Sequence, residues 1–98
     1  MAVEITNFDP AAYHEDDKAI AAYLSDDFET QDVAFISDAI AVVARAKGMK
    51  RIAQEAGVSR ESLYRALSSA GNPELGTVLK VLAAMNIKIN AKPLLKAT

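Results

Sequence analysis

The sequence has no cysteine and only one histidine among its 98 residues. Without cysteine there can be no disulfide framework, no thiolate zinc site and no cysteine nucleophile. His14 has no second histidine with which to share a metal ion or build a nucleophilic triad. We therefore expect His14 to be a partly exposed residue at the start of a helix. We also expect a protein that is not an enzyme and needs neither metal nor cofactor.

Long apolar runs are missing as well, although 51% of the residues are hydrophobic. No stretch reaches the ~20 apolar residues that cross a bilayer. The N-terminus lacks the basic segment and apolar core of a signal peptide. We therefore expect a cytoplasmic protein without membrane contact. The length predicts one domain, with a core that buries roughly 60 to 65% of the unfolded chain's surface.

The formal net charge of -2 conceals a strong polarity along the chain. Residues 1–38 carry ten acids against Lys18, whereas residues 39–98 carry ten bases against three glutamates. The acid pairs Asp16-Asp17 and Asp26-Asp27 do not suggest a catalytic site, because neighbouring residues on a helix point about 100° apart. They predict a solvated face or a docking surface for a basic partner protein.

Two amphipathic helices are predicted in the first half of the chain. One runs from about Asp16 to Phe28, with its acids on the outer face. Thr30 or Asp32 then caps a second helix that ends at Gly48. The broad apolar face of this second helix suits a central position in the core, and its members are Phe35, Ile36, Ala39, Ile40, Val42, Val43 and Ala46.

The C-terminal third predicts a core helix followed by a short strand. Leu75, Val78, Leu79, Leu82 and Met85 repeat at helical spacing, which is the clearest periodic pattern in the chain. Apolar residues then alternate with polar ones over residues 87–91, which predicts a strand. This strand pairs either with residues 3–8, themselves a strand or an extended arm, or across a dimer.

Residues 49–67 predict two short helices folded across a tight turn. Ile52, Ala53 and Ala56 place a small apolar stripe on the first helix. Gly57 fits the left-handed end of that helix, and Ser59 can cap a second helix that begins at Arg60. Leu63, Ala66 and Leu67 then point back at the first helix. This spacing is typical of a helix-turn-helix, in which the second helix crosses close to a small residue.

The outward face of the second helix is polar, and a DNA major groove could accept it. Residues 45–65 carry six bases against two acids. Arg60 and Arg65 can each donate two hydrogen bonds to guanine, and Glu61 can accept one from cytosine. The alternative for each is an ordinary solvated residue. Tyr64 either bonds a phosphate or packs on a neighbouring helix.

Two sequence stretches resemble a known family of DNA-binding domains. The segments IAQEAGVSRESLYRAL and GNPELGTVLKVLAAMNIKI are similar to the XRE-type, Cro/repressor-like helix-turn-helix over roughly residues 35–89. With FDPAAYHEDDKAIAAYL and DDFETQDVAFISDAIAVVARAKGM, nearly the whole chain resembles the HigA-like addiction-module antidote proteins, which are type II antitoxins. The acidic segment DDKAIAAYLSDD departs from that resemblance.

The resemblance implies an all-α fold: a five-helix lambda-repressor-like domain with an N-terminal helical extension. The two terminal segments either form a short β-ribbon or remain extended arms. The single domain, residues 1–98, would comprise an acidic extension (1–31) and a helix-turn-helix core (32–92). The implied function is that of an antitoxin and autorepressor, which binds operator DNA as a homodimer and neutralises a basic RelE/HigB-like ribonuclease toxin. The alternative is an XRE-type regulator without a toxin partner.

The resemblance also assigns candidate residues, position by position. Arg60, Glu61, Ser62 and Arg65 match base-facing positions of the recognition helix. Residues 49–51 match the start of the preceding helix, which faces phosphate, and Asn72 lies in a loop that meets the DNA backbone. Lys50 and Arg51 are accordingly phosphate contacts, with a solvated face as the alternative. The full set of candidate DNA-binding residues is Lys50, Arg51, Ser59, Arg60, Glu61, Ser62, Tyr64, Arg65 and Asn72.

Overall fold

A computed structural model describes residues 13–68 and 72–95, with side chains from Asp17 onward. Within these ranges the chain is all-helical. Its elements are α1 (Tyr13–Phe28), α2 (Val33–Lys47), α3 (Met49–Ala56), α4 (Arg60–Ala66) and α5 (Leu75–Ala84). None of the described helices is long and apolar enough to cross a membrane. The predicted sequence of five helices is confirmed.

Helices α1 and α2 pack against each other and are joined by a short polar turn. Gln31 adopts a left-handed conformation there, with φ of 54°. Of the two predicted caps for α2, the structure uses Asp32, whose carboxylate accepts hydrogen bonds from the N–H groups of Ala34 (2.9 Å) and Phe35 (3.3 Å). Thr30 instead supports the cap, because its hydroxyl accepts from the Asp32 N–H at 3.1 Å.

All five helices contribute buried side chains to one core, in which α2 packs on α1 and α3, and α3 packs on α4 and α5. Ile20 and Leu24 of α1 are fully buried in it, so α1 belongs to the same core as the rest of the chain. Lys47, at the end of α2, lies 3.9 Å from Asp17 of α1. The largest fully buried side chains are Ile20, Leu24, Ile40, Val43, Ile52, Leu63, Val81, Leu82 and Met85.

Three apolar residues predicted to face the core are exposed instead. Phe35 is 59% exposed on α2, and Leu75 and Leu79 on α5 are 67% and 46% exposed. Helical periodicity identifies the apolar face of a helix, but it does not show how far neighbouring helices cover that face. Here α5 is buried only in its C-terminal half, at Val81 and Leu82, where it packs on α3.

The predicted strand at residues 87–91 is also wrong. Asn86, with φ of 63°, ends the turn after α5, and residues 87–95 form neither helix nor strand. Alternation of apolar and polar residues becomes a strand only where another strand is available to pair with it. The segment instead passes the end of α1, where Lys92 forms an ion pair with Glu29. The possible partner strand at residues 3–8 lies outside the described residues.

Candidate functional site

The turn between α3 and α4 has the geometry that its sequence predicts. Gly57 has φ of 75° and ψ of 30°, in the left-handed region. The Val58 N–H donates to the Ala53 carbonyl at 3.0 Å, which is the six-to-one bond of a Schellman motif. Ser59 caps α4, since its hydroxyl accepts from the Ser62 N–H at 3.0 Å. The predicted glycine turn and serine cap are confirmed.

Small buried residues allow α4 to pack closely on α3. Ala53 and Ala56 are buried on α3, and Leu63 and Leu67 are buried on the facing side of α4. Val58 is half-buried against the same core, between the two helices. The position of α4 is therefore fixed by packing on one side, and its opposite side is free to contact another molecule.

The exposed side of α4 presents charged and aromatic groups. Arg60, Glu61, Tyr64 and Arg65 are all exposed. The Arg60 guanidinium lies 5.9 Å from the centre of the Tyr64 ring, within the range of a cation–π contact. The structure thus pairs Tyr64 with a residue of its own helix. Both arginines remain accessible, as a recognition role requires.

The two serines of the candidate set take part in the cap. The Ser59 hydroxyl donates to the Ser62 hydroxyl at 2.9 Å, and Arg65 Nη2 donates to the same Ser62 oxygen at 3.4 Å. These bonds hold the first turn of α4 and direct the Arg65 side chain along it. A contact from either serine to DNA stays a prediction.

Three remaining candidates lie outside α4. Lys50 and Arg51 are exposed in the first turn of α3, and Arg51 Nε lies 3.2 Å from Glu55 Oε2 one turn later. Both members of that ion pair are about half exposed, so it adds little stability and the arginine can exchange partners. Asn72 is exposed in the segment before α5.

A second charged surface lies where α1 and α2 meet, and it joins Asp27 of the predicted docking pair to residues of a different segment that the sequence analysis did not connect with it. We call it the acidic surface, and it comprises Tyr23, Asp27, Asp32, Phe35 and Asp38. Burial and the nearby carboxylates of Asp27 and Asp38 raise the pKa of Tyr23 above its ordinary value of 10. Asp32, Phe35 and Asp38 line one shallow depression. Their three-residue spacing is the signal that could have revealed a shared helix face.

An uncharged groove separates the N-terminal halves of α2 and α5. Val33, Ile36 and Ile40 line it from α2, and Leu75 and Val78 line it from α5. No charged side chain contributes to its walls. Elsewhere, the described residues contain no cluster of three histidine, aspartate or glutamate side chains that could hold a metal ion.

Comparison with known proteins identifies relatives along nearly the whole chain. A family model described as "probable addiction module antidote protein" matches residues 4–93. An uncharacterized protein of Haemophilus influenzae is 37% identical over 92 residues, which cover 94% of this chain and 95% of the relative. No solved structure matches the chain.

Proposed function

Because this chain belongs to the family of probable addiction module antidote proteins, we propose that it is a DNA-binding antitoxin. It neutralises a basic ribonuclease toxin of the RelE/HigB type and represses its own operon. Both tasks are binding tasks carried out in the cytoplasm, and neither needs a catalytic group or a cofactor. The observation that supports the DNA-binding role best is the exposed, capped helix α4, which carries two accessible arginines.

In this proposal α3 and α4 form a lambda-repressor-like helix-turn-helix, with α4 as the recognition helix in the major groove. Arg60 and Arg65 each donate to O6 and N7 of a guanine, and Glu61 accepts from the N4 amino group of a cytosine. The cation–π contact with Tyr64 limits the conformations of Arg60 before binding. The hydrogen bond to Ser62 does the same for Arg65.

Phosphate contacts come from the edges of the recognition helix. Lys50 and Arg51 lie in the first turn of α3, where free backbone N–H groups also favour an anion. Ser59 and Asn72 offer polar groups beside α4 and before α5. These contacts carry no sequence information, but they position α4 and make the affinity depend on salt.

The protein acts as a homodimer in this proposal. Helix α4 has seven residues and is about 10 Å long, so it spans only about three base pairs. Two copies on a palindrome, with half-sites about 34 Å apart, supply the missing contacts. The exposed Leu75 and Leu79, beside the uncharged groove, are the surface that we assign to the second copy.

The test is a fluorescence-anisotropy titration of a DNA duplex that carries the region upstream of the gene. We expect Arg65→Ala to weaken binding about 5- to 150-fold for each half-site, the value of one bidentate base contact, and the dimer loses two such contacts. We expect Lys50→Ala to weaken binding on all sequences and to lower the slope of log K against log salt by about one per subunit.

Lys92→Ala is the matched control, because it removes an exposed cation that pairs with Glu29, after the end of α1 opposite to Asp17. It should bind as the wild type does. Equal binding by Arg65→Ala and Lys92→Ala would overturn the assignment of α4. Binding of the wild type that does not change with salt would overturn the DNA-binding role itself.

A further inference from the structure

We propose that the toxin docks on the acidic surface at the α1–α2 junction, with the Phe35 ring as the apolar anchor at its centre. The inference rests on the proposed antitoxin function and identifies the surface that binds the toxin. The partner that fits this surface is a protein with an apolar pocket for the Phe35 ring, surrounded by lysine and arginine side chains.

Phe35 is displayed on a rigid part of the chain. Its backbone N–H bonds to the Asp32 carboxylate in the first turn of α2, and that turn is held further by the Thr30 hydroxyl. The ring is nevertheless 59% exposed, so the fold gains little from it. A large aromatic side chain on fixed backbone loses little conformational entropy when a partner buries it, which is typical of residues that dominate binding energy.

The charges around Phe35 indicate that the partner's contact surface is positively charged. Asp32, the cap of α2, lies three residues before Phe35 and Asp38 lies three residues after it, and Asp27 approaches from α1 beside Tyr23. Within residues 13–68 and 72–95, no ion pair neutralises any of these three carboxylates. Like charges around an apolar centre attract a basic protein and repel an acidic one.

A second copy of the chain fits this surface poorly. In a twofold contact the same patch faces itself, so Asp38 and its neighbours would meet carboxylates of the same sign. A twofold contact through the uncharged groove between α2 and α5 would bring no like charges together. The two surfaces therefore suit different partners.

The experiment measures association and dissociation rates between the full chain and the protein encoded by the reading frame adjacent to its gene. We expect Phe35→Ala to weaken the complex by about 30-fold, mainly through faster dissociation. The control is Gln54→Ala, which truncates an exposed side chain on α3. It should leave both rates unchanged.

Charge reversal tests the electrostatic part separately. We expect Asp38→Lys to slow association about tenfold at low salt, with the difference shrinking at high salt. Glu55→Lys makes the same charge change on α3 and should have little effect on the association rate. Circular dichroism melting curves of all four variants verify that each is folded.

The outcomes separate the two proposals. If the wild type binds the adjacent gene's product and both Phe35→Ala and Asp38→Lys bind equally well, the acidic surface is not the docking site, while the antitoxin function stands. If Phe35→Ala changes only the oligomeric state, the surface contacts a second copy and the inference is wrong. If the wild type does not bind that product, the antitoxin proposal fails, and the inference fails with it.

Discussion

At the scale of single residues, Gly57 is the position at which the α3–α4 turn depends on one amino acid. Its φ of 75° lies in the left-handed region, which costs an L-residue roughly 1 to 2 kcal/mol. No atom lies within 4 Å of the position that a Cβ would occupy there. The cost of a substitution is therefore one of backbone conformation and not of steric contact.

Gly57→Ala and Gly76→Ala should change stability in opposite directions. We expect Gly57→Ala to lower the free energy of unfolding by about 1 to 2 kcal/mol. Gly76 lies inside α5, also with open space around it, so alanine there should raise the free energy of unfolding by about 1 kcal/mol. Urea denaturation of both variants measures the difference. A Gly57→Ala variant as stable as wild type would contradict the left-handed turn.

Tyr23 should make stability fall at high pH. Its pKa is raised in the folded protein by burial and by Asp27 and Asp38, so its neutral form is favoured there. The stabilisation is fully present below the unfolded pKa, near 10, and is lost as the pH rises through the higher folded pKa. We expect Tyr23→Phe to lose less stability than wild type between roughly pH 8 and pH 11.

Urea denaturation at the two pH values checks this expectation, and Tyr64→Phe is the control that removes an exposed phenol. If wild type and Tyr23→Phe lose equal stability over this range, the carboxylates do not act on Tyr23 as described. The acidic surface would then be less compact than the structure indicates.

At the scale of elements, the sequence predicted the helices best where a helix end depends on a local residue. Gly48, Gly57, Ser59 and Asp32 each end or begin a helix through their own backbone conformation or side-chain bond. Such signals need no knowledge of distant segments. The candidate residues on α4 could be placed on its outer side for the same reason.

Features that depend on contacts between distant segments could not be predicted. Whether Leu75 and Leu79 are covered depends on how far α2 extends over α5, and residues 87–91 form a strand only beside another strand. The acidic surface was predicted only in part, through Asp27, because Asp27 and Asp38 belong to different helices, and the angle between those helices is not encoded in either segment. Only Asp32, Phe35 and Asp38 lie close enough in the sequence for their three-residue spacing to indicate a shared face.

The packing of α3 on α4 should fail if the small residue between them is enlarged. Ala53 is buried beneath the turn, so we expect Ala53→Leu to lower the free energy of unfolding by about 1 to 3 kcal/mol. Gln54→Leu places the same leucine side chain at the exposed neighbouring position and should change the free energy of unfolding by less than about 0.5 kcal/mol. Thermal melts followed by circular dichroism compare the two. Equal stability of both variants would show that α4 does not pack closely over Ala53.

At the scale of the whole molecule, opposite charges lie on different parts of one core. Acids gather where α1 meets α2, and six of the ten bases in residues 39–98 lie between Arg45 and Arg65, around α3 and α4. Because Ile20 and Leu24 of α1 are buried in the shared core, deletion of the N-terminal third would remove two core side chains together with the acidic residues. Point variants on the exposed surfaces are therefore the proper way to separate the two proposed activities.

The most direct test measures two variants, Arg65→Ala and Asp38→Lys, each against two ligands: the upstream DNA duplex and the protein encoded next to the gene. Both substitutions are at exposed positions. We expect Arg65→Ala to lose affinity for DNA about 5- to 150-fold for each half-site and to keep its affinity for the protein. We expect Asp38→Lys to bind that protein more slowly and to retain its DNA affinity. If each variant loses both ligands equally, or if neither loses any, the division of the molecule into a DNA-binding face and a toxin-binding face is contradicted.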